Sequence, residues 1–176
     1  MFFRWASGCF ILEEKMVERV PMSKNGYEKL RAELRKLEKH DRMEVIKSIE
    51  VARAHGDLKE NAEYHAAKDR QGHIEGRIME LKDKLGRAEV IDCTEVSSGK
   101  VVFGTVVSLV DLDTDEEVKY QLLGPEEADV KKGSISVFSP IGQSIIGKEV
   151  GDEVKVSTPG GVRELEVVDI AASEVA

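Results

Sequence analysis

The sequence predicts a two-domain protein, in which an N-terminal all-α antiparallel coiled-coil hairpin precedes a C-terminal α+β domain. Two observations predict the hairpin. Apolar residues recur at helical spacing on both sides of one short polar break, and that break contains a glycine suited to end a helix. A third observation predicts the second domain, because after Asp92 the apolar residues alternate as they do in strands. The predicted domains span 21–92 and 97–172, and the tip of the hairpin lies at 55–61.

The charge is distributed unevenly along the 176 residues, whose net charge is −8. Residues 91–176 carry 17 acidic and 7 basic residues, whereas residues 1–90 carry 17 acidic and 19 basic residues. An acidic C-terminal half is a poor match for duplex nucleic acid, whose binding depends on neutralising phosphates. Only the N-terminal half therefore has an excess of basic residues that could contact nucleic acid.

The cysteines and the hydropathy favour a cytoplasmic protein. Cys9 and Cys93 are too few for a disulfide framework or a zinc site. No apolar run approaches the roughly 20 residues of a membrane span, so we expect no membrane partner. The apolar run at 9–12 is too short for a signal peptide. We expect residues 1–20 to be a disordered extension or the product of an upstream start codon.

The outward helix of the hairpin is predicted from Ser23, a favourable N-cap residue, to about Ala54. Four apolar residues form its first seam: Tyr27, Leu30, Leu34 and Leu37. The seam slips near Asp41, and we expect it to resume at Ile46 and Ile49. The helix should therefore pair imperfectly with its partner about halfway along.

The returning helix is predicted from about Asn61 to Ala88, and its seam is more regular. The seam residues are Tyr64, Ala67, Gln71, Ile74, Ile78, Leu81, Leu85 and Ala88. Gly56 is suited to end the outward helix as its C′ residue. The two apolar stripes bury each other if the helices run antiparallel, with the tip as their short connection.

Two carboxylates, Asp57 and Glu60, lie in the tip, and the spacing leaves two interpretations open. Asp57 could cap the returning helix with Glu60 as its capping-box partner. Alternatively, Asn61 is the cap and both acids are free to bind one hard cation. Mg²⁺ takes only one or two protein carboxylates and completes its shell with water or phosphate oxygens. Two acids alone would bind it weakly, so the tip would be half of a site that a partner completes.

Basic residues are frequent in the outer part of the predicted arm: Arg42, Lys47, Arg53, Lys59, Lys68, Arg70 and Arg77. As a phosphate-facing patch they would guide a single strand of nucleic acid. As i,i+4 ion-pair partners of Glu50, Glu63 and Glu75 they would only keep the helices soluble. The four histidines lack an HExxH or CxxC companion, which argues against a zinc site.

The C-terminal half has the alternation and turns of a small sheet. The predicted strands are 100–110, 117–123, 153–157 and 163–170; an acidic turn at 111–116 joins the first two, and Pro159-Gly160-Gly161 joins the last two. Ser139-Pro140 opens a short helix through Ile146 that Gly147 closes. Because residues after His73 offer neither a nucleophile–base pair nor a glycine-rich phosphate loop, this half is predicted to be a binding module, with Phe138 as a candidate exposed contact.

Together these residues resemble the GreA/GreB family of bacterial transcript cleavage factors over residues 20–170. The block at 52–68, which contains the tip, carries the most specific match. Further motifs agree: Pro21-Met22-Ser23, Gly26-Tyr27-Glu28-Lys29-Leu30, Ser139-Pro140-Ile141-Gly142 and Thr158-Pro159-Gly160-Gly161. The resemblance implies a coiled coil that enters the secondary channel of RNA polymerase and an FKBP-like C-terminal domain that holds the channel rim.

The resemblance also implies a mechanism completed by the polymerase, so that the chain is not itself an enzyme. Asp57 and Glu60 would help to coordinate the catalytic Mg²⁺ of a backtracked polymerase, which then hydrolyses its own transcript. Further implied contacts are Arg53 and Lys68 with the displaced RNA, and Phe138, Ser139 and Pro140 with the polymerase. The expected partners are bacterial RNA polymerase and the nascent RNA 3′ end, with an indirect DNA association. The chain is expected to be a monomer.

Three other functions remain as alternatives. A channel-occupying inhibitor of the same shape would slow elongation without releasing short RNA. A prolyl isomerase or chaperone would need an aromatic-lined proline pocket, for which residues 91–176 offer only Phe103, Tyr120 and Phe138. An autonomous ribonuclease would need a complete metal site.

Overall fold

The computed structural model describes residues 19–93, 99–158 and 161–172. Most of the predicted extension at 1–20, including Cys9, and residues Pro159 and Gly160 of the predicted turn lie outside the described residues. The elements in chain order are β1 Val20–Ser23, α1 Lys24–Lys36, a π-helical segment Leu37–Asp41, α2 Arg42–Ala54, α3 Ala62–Arg87, β2 Ala88–Ile91, β3 Val106–Asp111, β4 Glu117–Leu123, a 3₁₀ turn Val130–Lys132, β5 Ser134–Ser136, α4 Pro140–Ile145, β6 Glu153–Thr158 and β7 Gly161–Ala171. None of the described helices is long and apolar enough to cross a membrane.

The predicted helical hairpin is confirmed. α1, the π-helical segment and α2 form one continuous outward helix, and α3 packs along it as the returning helix. Ser23 caps α1, because its hydroxyl accepts a hydrogen bond from the backbone N–H of Gly26 at 3.0 Å. At the other end, Gly56 follows the last helical residues with φ of +76°, a conformation that glycine adopts without strain.

The predicted slip of the outward seam coincides with the π-helical segment. Leu34 and Leu37 pack against a core of Val45, Ile74 and Ile78. Val45 follows Leu37 by eight residues instead of the seven of a regular heptad, because a π-helical turn accommodates one extra residue. The prediction that the seam resumes at Ile46 is wrong: Ile46 is 42% exposed, whereas Val45 is fully buried.

A two-stranded parallel ribbon joins the two ends of the hairpin and was not predicted. β1 pairs with β2 in the register Val20↔Ala88 to Ser23↔Ile91. Met22 in β1 is only 1% exposed. The ribbon therefore fixes the base of the arm where both helices meet the second domain.

The C-terminal domain is a five-stranded sheet in the order β5-β4-β3-β7-β6, which confirms the predicted α+β class. β3 pairs antiparallel with β4 and β7, β7 pairs antiparallel with β6, and β4 pairs parallel with β5. The buried core includes Val107 and Leu109 of β3 together with Ile145 of α4. α4 has the predicted cap, since Ser139 accepts a hydrogen bond from the N–H of Gly142.

Two details of this domain differ from the prediction. The strand expected at 100–110 begins only at Val106, because the buried Thr105 hydroxyl donates to the carbonyl of Val102 at 2.7 Å and closes a turn ahead of it. The short strand β5 was missed, since three residues are too few to show an alternating pattern. Neither difference changes the class of the fold.

Hydrogen bonds and an ion pair connect the base of the arm to the loop after β4, and we call this contact the domain joint. The N–H and hydroxyl of Ser23 donate to the two carboxylate oxygens of Glu127 at 2.7 and 2.5 Å. Lys84 contacts Glu126 at 2.6 Å. A Cβ at Gly26 would lie 2.0 Å from Glu127, so the glycine permits the close approach.

Candidate functional site at the tip of the arm

The tip comprises residues 55–61 between α2 and α3. The N–H groups of His55 and Gly56 donate to the carbonyls of Ala52 and Arg53, which ends α2. Gly56 and Asp57 then have φ of +76° and +36° in succession. This left-handed pair reverses the chain, and aspartate is one of the few residues with a side chain that tolerates such a conformation.

Asn61 caps the returning helix. Its side-chain oxygen accepts from the N–H of Tyr64 at 3.0 Å, which is the arrangement of an N-cap. The interpretation of Asp57 as the cap with Glu60 as its capping-box partner is therefore wrong. The alternative, with Asn61 as the cap and both acids in the loop, is the one that the structure contains.

The two carboxylates of the tip are exposed. The N–H of Glu60 donates to the carbonyl of Asp57 at 3.1 Å, which makes a tight turn. Within the described residues, neither side chain has a hydrogen bond or an ion pair, and both line one shallow, open depression together with Asn61. The distal end of the arm therefore presents two carboxylates that the chain leaves for solvent or a partner.

The donor set of the tip fits a hard cation incompletely. Two exposed carboxylates are the number that Mg²⁺ commonly takes from a protein. Across the described residues there is no group of three or more His, Cys, Asp or Glu side chains that could hold a metal ion. Any cation at Asp57 and Glu60 would need further ligands from outside the described part of the chain.

Three of the seven basic residues of the predicted patch are paired across the two helices. The pairs are Arg42 with Glu75 (2.6 and 2.5 Å), Arg70 with Glu44 (3.0 Å) and Arg77 with Glu33 (2.8 and 3.2 Å). The prediction that basic residues of this set form ion pairs is right for these three, but the predicted i,i+4 geometry is wrong, because all three pairs join the two helices. Of the predicted acidic partners, Glu75 is paired, whereas Glu50 and Glu63 have no ion pair within the described residues.

These ion pairs shift the pKa values of the residues that form them. The hydrogen bond from Arg42 lowers the pKa of Glu75 below its ordinary value. The hydrogen bonds to Glu33 and then Glu80 raise the pKa of Arg77. Such bidentate guanidinium–carboxylate contacts hold the two helices in a defined register.

The basic residues nearest the tip are differently placed. Lys47, Arg53 and Lys59 are exposed and have no side-chain partner within the described residues. Lys68 is exposed and donates to Gln71 at 2.9 Å, a neutral partner that leaves its charge uncompensated. The uncompensated positive charge of this set is therefore concentrated toward the distal end of the arm, beside the two free carboxylates.

On the second domain, the segment of Phe138, Ser139 and Pro140 lies at the start of α4. Phe138 is 53% exposed, which makes it an apolar surface residue and not a core aromatic. The Ser139 hydroxyl donates to the carbonyl of Ser136 at 2.6 Å and fixes the turn, and Pro140 is exposed. The structure thus presents an ordered, partly apolar surface at this point.

Two contacts of the tip were not predicted from the sequence. The amide nitrogen of Asn61 donates to the carbonyl of Ala52 at 2.8 Å. A ring nitrogen of His65 lies 3.2 Å from the carbonyl of Lys59. The partner in each case is a backbone carbonyl, which every residue has, so the spacing of residue types carries no signal for either contact.

A helical arm with a polar tip, followed by a small sheet domain, is matched over both parts by known sequence families. Residues 20–90 match the family described as "Transcription elongation factor, N-terminal". Residues 96–172 match "Transcription elongation factor, GreA/GreB, C-term". The class is therefore that of the transcription elongation factors, and the chain belongs to the GreA/GreB family.

Individual relatives carry a more particular name. A protein of Desulfotalea psychrophila named transcription elongation factor GreA is 68% identical over 161 residues, which cover 92% of this chain and 100% of the relative. A protein of the same name from Phenylobacterium zucineum is 55% identical over 154 residues, which cover 88% and 98%. The solved structure of GreA factor homolog 1 (Gfh1) of Thermus thermophilus is 34% identical, with a TM-score of 0.40, and covers 87% of this chain and 99% of that one.

Proposed function

We propose that this elongation factor binds bacterial RNA polymerase, inserts the tip of its arm into the secondary channel and stimulates hydrolysis of the backtracked nascent RNA 3′ end. Arrested elongation complexes are thereby rescued. The cleavage is the polymerase's own reaction, and the factor supplies part of the site.

One observation carries this proposal: Asp57 and Glu60 are exposed at the distal end of the arm without partners within the described residues. Carboxylates that served to stabilise the hairpin would be expected to cap a helix or form an ion pair. Asn61 performs the capping instead. The two acids are therefore available to a site outside this chain.

Asp57 and Glu60 are the residues that would hold Mg²⁺ together with ligands of the polymerase. Bound there, Mg²⁺ supplies Lewis-acid stabilisation of a phosphodiester and a water of lowered pKa. The factor's own contribution is to bring two negative oxygen ligands to the site. The chain need not bind the cation stably alone, in keeping with its incomplete donor set.

The other predicted contacts have supporting geometry. Arg53 and Lys68 are exposed near the tip, where their charges would attract the phosphates of the displaced RNA. Phe138, Ser139 and Pro140 form an ordered surface on the second domain, to which we assign the polymerase contact. Exposed aromatic residues are frequent anchors of protein interfaces.

The proposal is tested with stalled elongation complexes that contain end-labelled RNA. We expect the parent chain to release short 3′ fragments, and Asp57→Asn and Glu60→Gln to lower the cleavage rate by about a hundredfold or more. Glu50→Gln is the matched control, because Glu50 is an exposed carboxylate one turn from the end of α2. We expect this control to cleave at the parent rate.

Two results would contradict the proposal. If both tip variants cleave as fast as the parent chain, the carboxylates take no part in the reaction. If the parent chain slows elongation and releases no RNA fragments, the factor is a channel-occupying inhibitor instead. Purified RNA without polymerase is included, and cleavage of that substrate would indicate an autonomous nuclease.

A further inference from the structure

A single side chain connects the two helices across the tip. The amide nitrogen of Asn61 donates to the carbonyl of Ala52 in the last turn of α2, at 2.8 Å. Its amide oxygen accepts from the N–H of Tyr64 in the first turn of α3, at 3.0 Å. Among the hydrogen bonds described for residues 52–65, the bond to Ala52 is the one that reaches from the α3 side of the loop back to α2.

Burial differs between the acceptor Ala52 and the loop that follows it. Ala52 is buried in the helix interface, but every residue from 53 to 60 is exposed. After Gly56, the other described contacts of the loop are local: the Asp57–Glu60 turn, and the contact of His65 with Lys59. The bonds of His55 and Gly56 to the carbonyls of Ala52 and Arg53 end α2 ahead of the acids. Among the described contacts of the residues that follow Gly56, the bond from Asn61 is the one that returns to α2, so we infer that it limits how the acids move relative to the arm.

We propose that Asn61 is a positioning residue, which fixes the direction in which Asp57 and Glu60 present their carboxylates to the shared cation. This inference rests on the proposed function of the tip. Asn61 acts through the loop and touches neither cation nor RNA. Residues that orient metal ligands without binding the metal commonly change metal affinity or activity by about 10- to 100-fold when they are replaced.

The hydrogen bond from Asn61 to Ala52 can be removed by mutation without removing the helix cap. Capping uses only the side-chain oxygen, and serine caps helices about as well as asparagine. The Oγ of a serine would lie near the position of the asparagine Cγ, about 1.3 Å short of the amide nitrogen. Asn61→Ser should therefore keep the bond to the N–H of Tyr64 and lose the bond to Ala52.

The first measurement uses the isolated chain and amide hydrogen exchange. In Asn61→Ser we expect the Tyr64 amide to stay protected, because the cap remains. The Glu60 amide should exchange faster, because the loop is no longer tied to α2. Unchanged exchange at Glu60 would overturn the proposal without any reference to transcription.

The second measurement is transcript cleavage at saturating factor over a range of Mg²⁺ concentrations. We expect Asn61→Ser to lower the maximal rate, or to raise the half-saturating Mg²⁺ concentration, by about tenfold. The factor concentration needed for half-maximal occupancy of the polymerase, measured by competition, should not change. Ser48→Ala is the control, since Ser48 is an exposed residue of α2 whose hydroxyl bonds, within the described part of the chain, to the carbonyl of Glu44 alone.

The outcomes are distinguishable. If Asn61→Ser cleaves with the parent's rate and Mg²⁺ dependence, Asn61 has no positioning role. The same conclusion follows if Asn61→Ser cleaves slowly at low concentrations of the factor but at the parent rate at saturating concentrations. Asn61 would then act only through the folding of the arm or its binding to the polymerase. If the parent chain stimulates no cleavage, the proposed function fails, and the exchange measurement alone decides whether Asn61 holds the loop.

Discussion

The domain joint and the tip both lie at the start of a helix, and both contain a side chain that caps it, Ser23 in α1 and Asn61 in α3. At the joint, the carboxylate beside the cap is bound: Glu127 accepts two hydrogen bonds from Ser23. At the tip, the carboxylates of Asp57 and Glu60 have no partner within the described residues. The same chemical groups thus hold two domains together at the joint, whereas at the tip no group of the described residues binds them.

The difference indicates what each region does. A polar group that is satisfied inside the chain fixes structure, because losing its partner costs free energy. An exposed and hydrated carboxylate contributes little to stability and remains available for binding. Between the two regions, cross-helix ion pairs and a narrow apolar core keep the arm extended, so that the free groups are held far from the joint.

The largest effect on stability is expected in the middle of the arm. Ile78 is 2% exposed and packs in the helix core, whereas its neighbour Met79 is 66% exposed. Ile78→Ala should lower the free energy of unfolding by about 2–5 kcal/mol, because it leaves a cavity in a small core. Met79→Ala is the matched control and should change it by less than about 0.5 kcal/mol. Equal effects in denaturant titrations would show that α3 does not bury the face seen here.

A smaller loss of stability is expected at the domain joint. Ser23→Ala removes the cap of α1 and the hydroxyl bond to Glu127. We expect the free energy of unfolding to fall by about 1–2 kcal/mol. Ser48→Ala provides the comparison, because it removes a serine hydroxyl whose one partner among the described residues, the carbonyl of Glu44, lies in α2 as well. A Ser23→Ala protein as stable as the parent would mean that the joint does not stabilise the fold.

A functional effect of several-fold is expected from the free cations near the tip. Arg53→Gln should lower the cleavage rate by about three- to tenfold, because Arg53 has no partner within the described residues and is proposed to contact RNA phosphate. Arg70→Gln removes the same charge from a residue that is paired with Glu44. Arg70→Gln should change the cleavage rate by less than about twofold, because the charge of Arg70 is already paired and an exposed ion pair contributes little to stability. Equal losses in cleavage assays would remove the distinction between paired and free cations.

The smallest effect is expected on the pH dependence of stability, through the ion pair of Arg42 and Glu75. The hydrogen bond from Arg42 places the pKa of folded Glu75 below the ordinary value of 4.5. The ionised Glu75 therefore contributes its full stabilisation of the fold above pH 4.5, and this contribution is lost as the pH falls through the lowered pKa. Glu75→Gln should be slightly less stable than the parent at pH 7, and the difference should shrink below about pH 4. A difference that grows in acid would contradict the assigned direction, and thermal unfolding at several pH values measures it.

The long elements of the fold could be predicted because their signals are repeated. The seam of α3 recurs over many residues, and its members Ile74, Ile78 and Leu81 are buried as expected. The ends of the helices were marked by Ser23 and Gly56, whose local chemistry is specific to those positions. Short elements such as β1, β2 and β5 could not be predicted, since three or four residues show no period and their pairing depends on distant strands.

The candidate site was predicted in part. Asp57 and Glu60 could be singled out by type and spacing, but the choice between a cap and a free pair could not be made. Both Asp57 and Asn61 are good N-cap residues, so local propensity does not decide between them. The structure decides it through the left-handed backbone at Asp57 and the bond from Tyr64 to Asn61.

The sequence by itself determined the helical arm, the position of its tip, the slip of its seam and the class of the second domain, because periodicity and capping act within a few residues. Tertiary structure decided which residues fill the seam after the π-helical segment and which basic side chains form ion pairs. It also decided how the β1–β2 ribbon and the domain joint fix the base of the arm, and that the tip acids are exposed and unpaired among the residues that the structure describes. The physical reason is that packing and ion pairing join residues far apart in the chain, such as Arg42 with Glu75, and no local pattern specifies such partners.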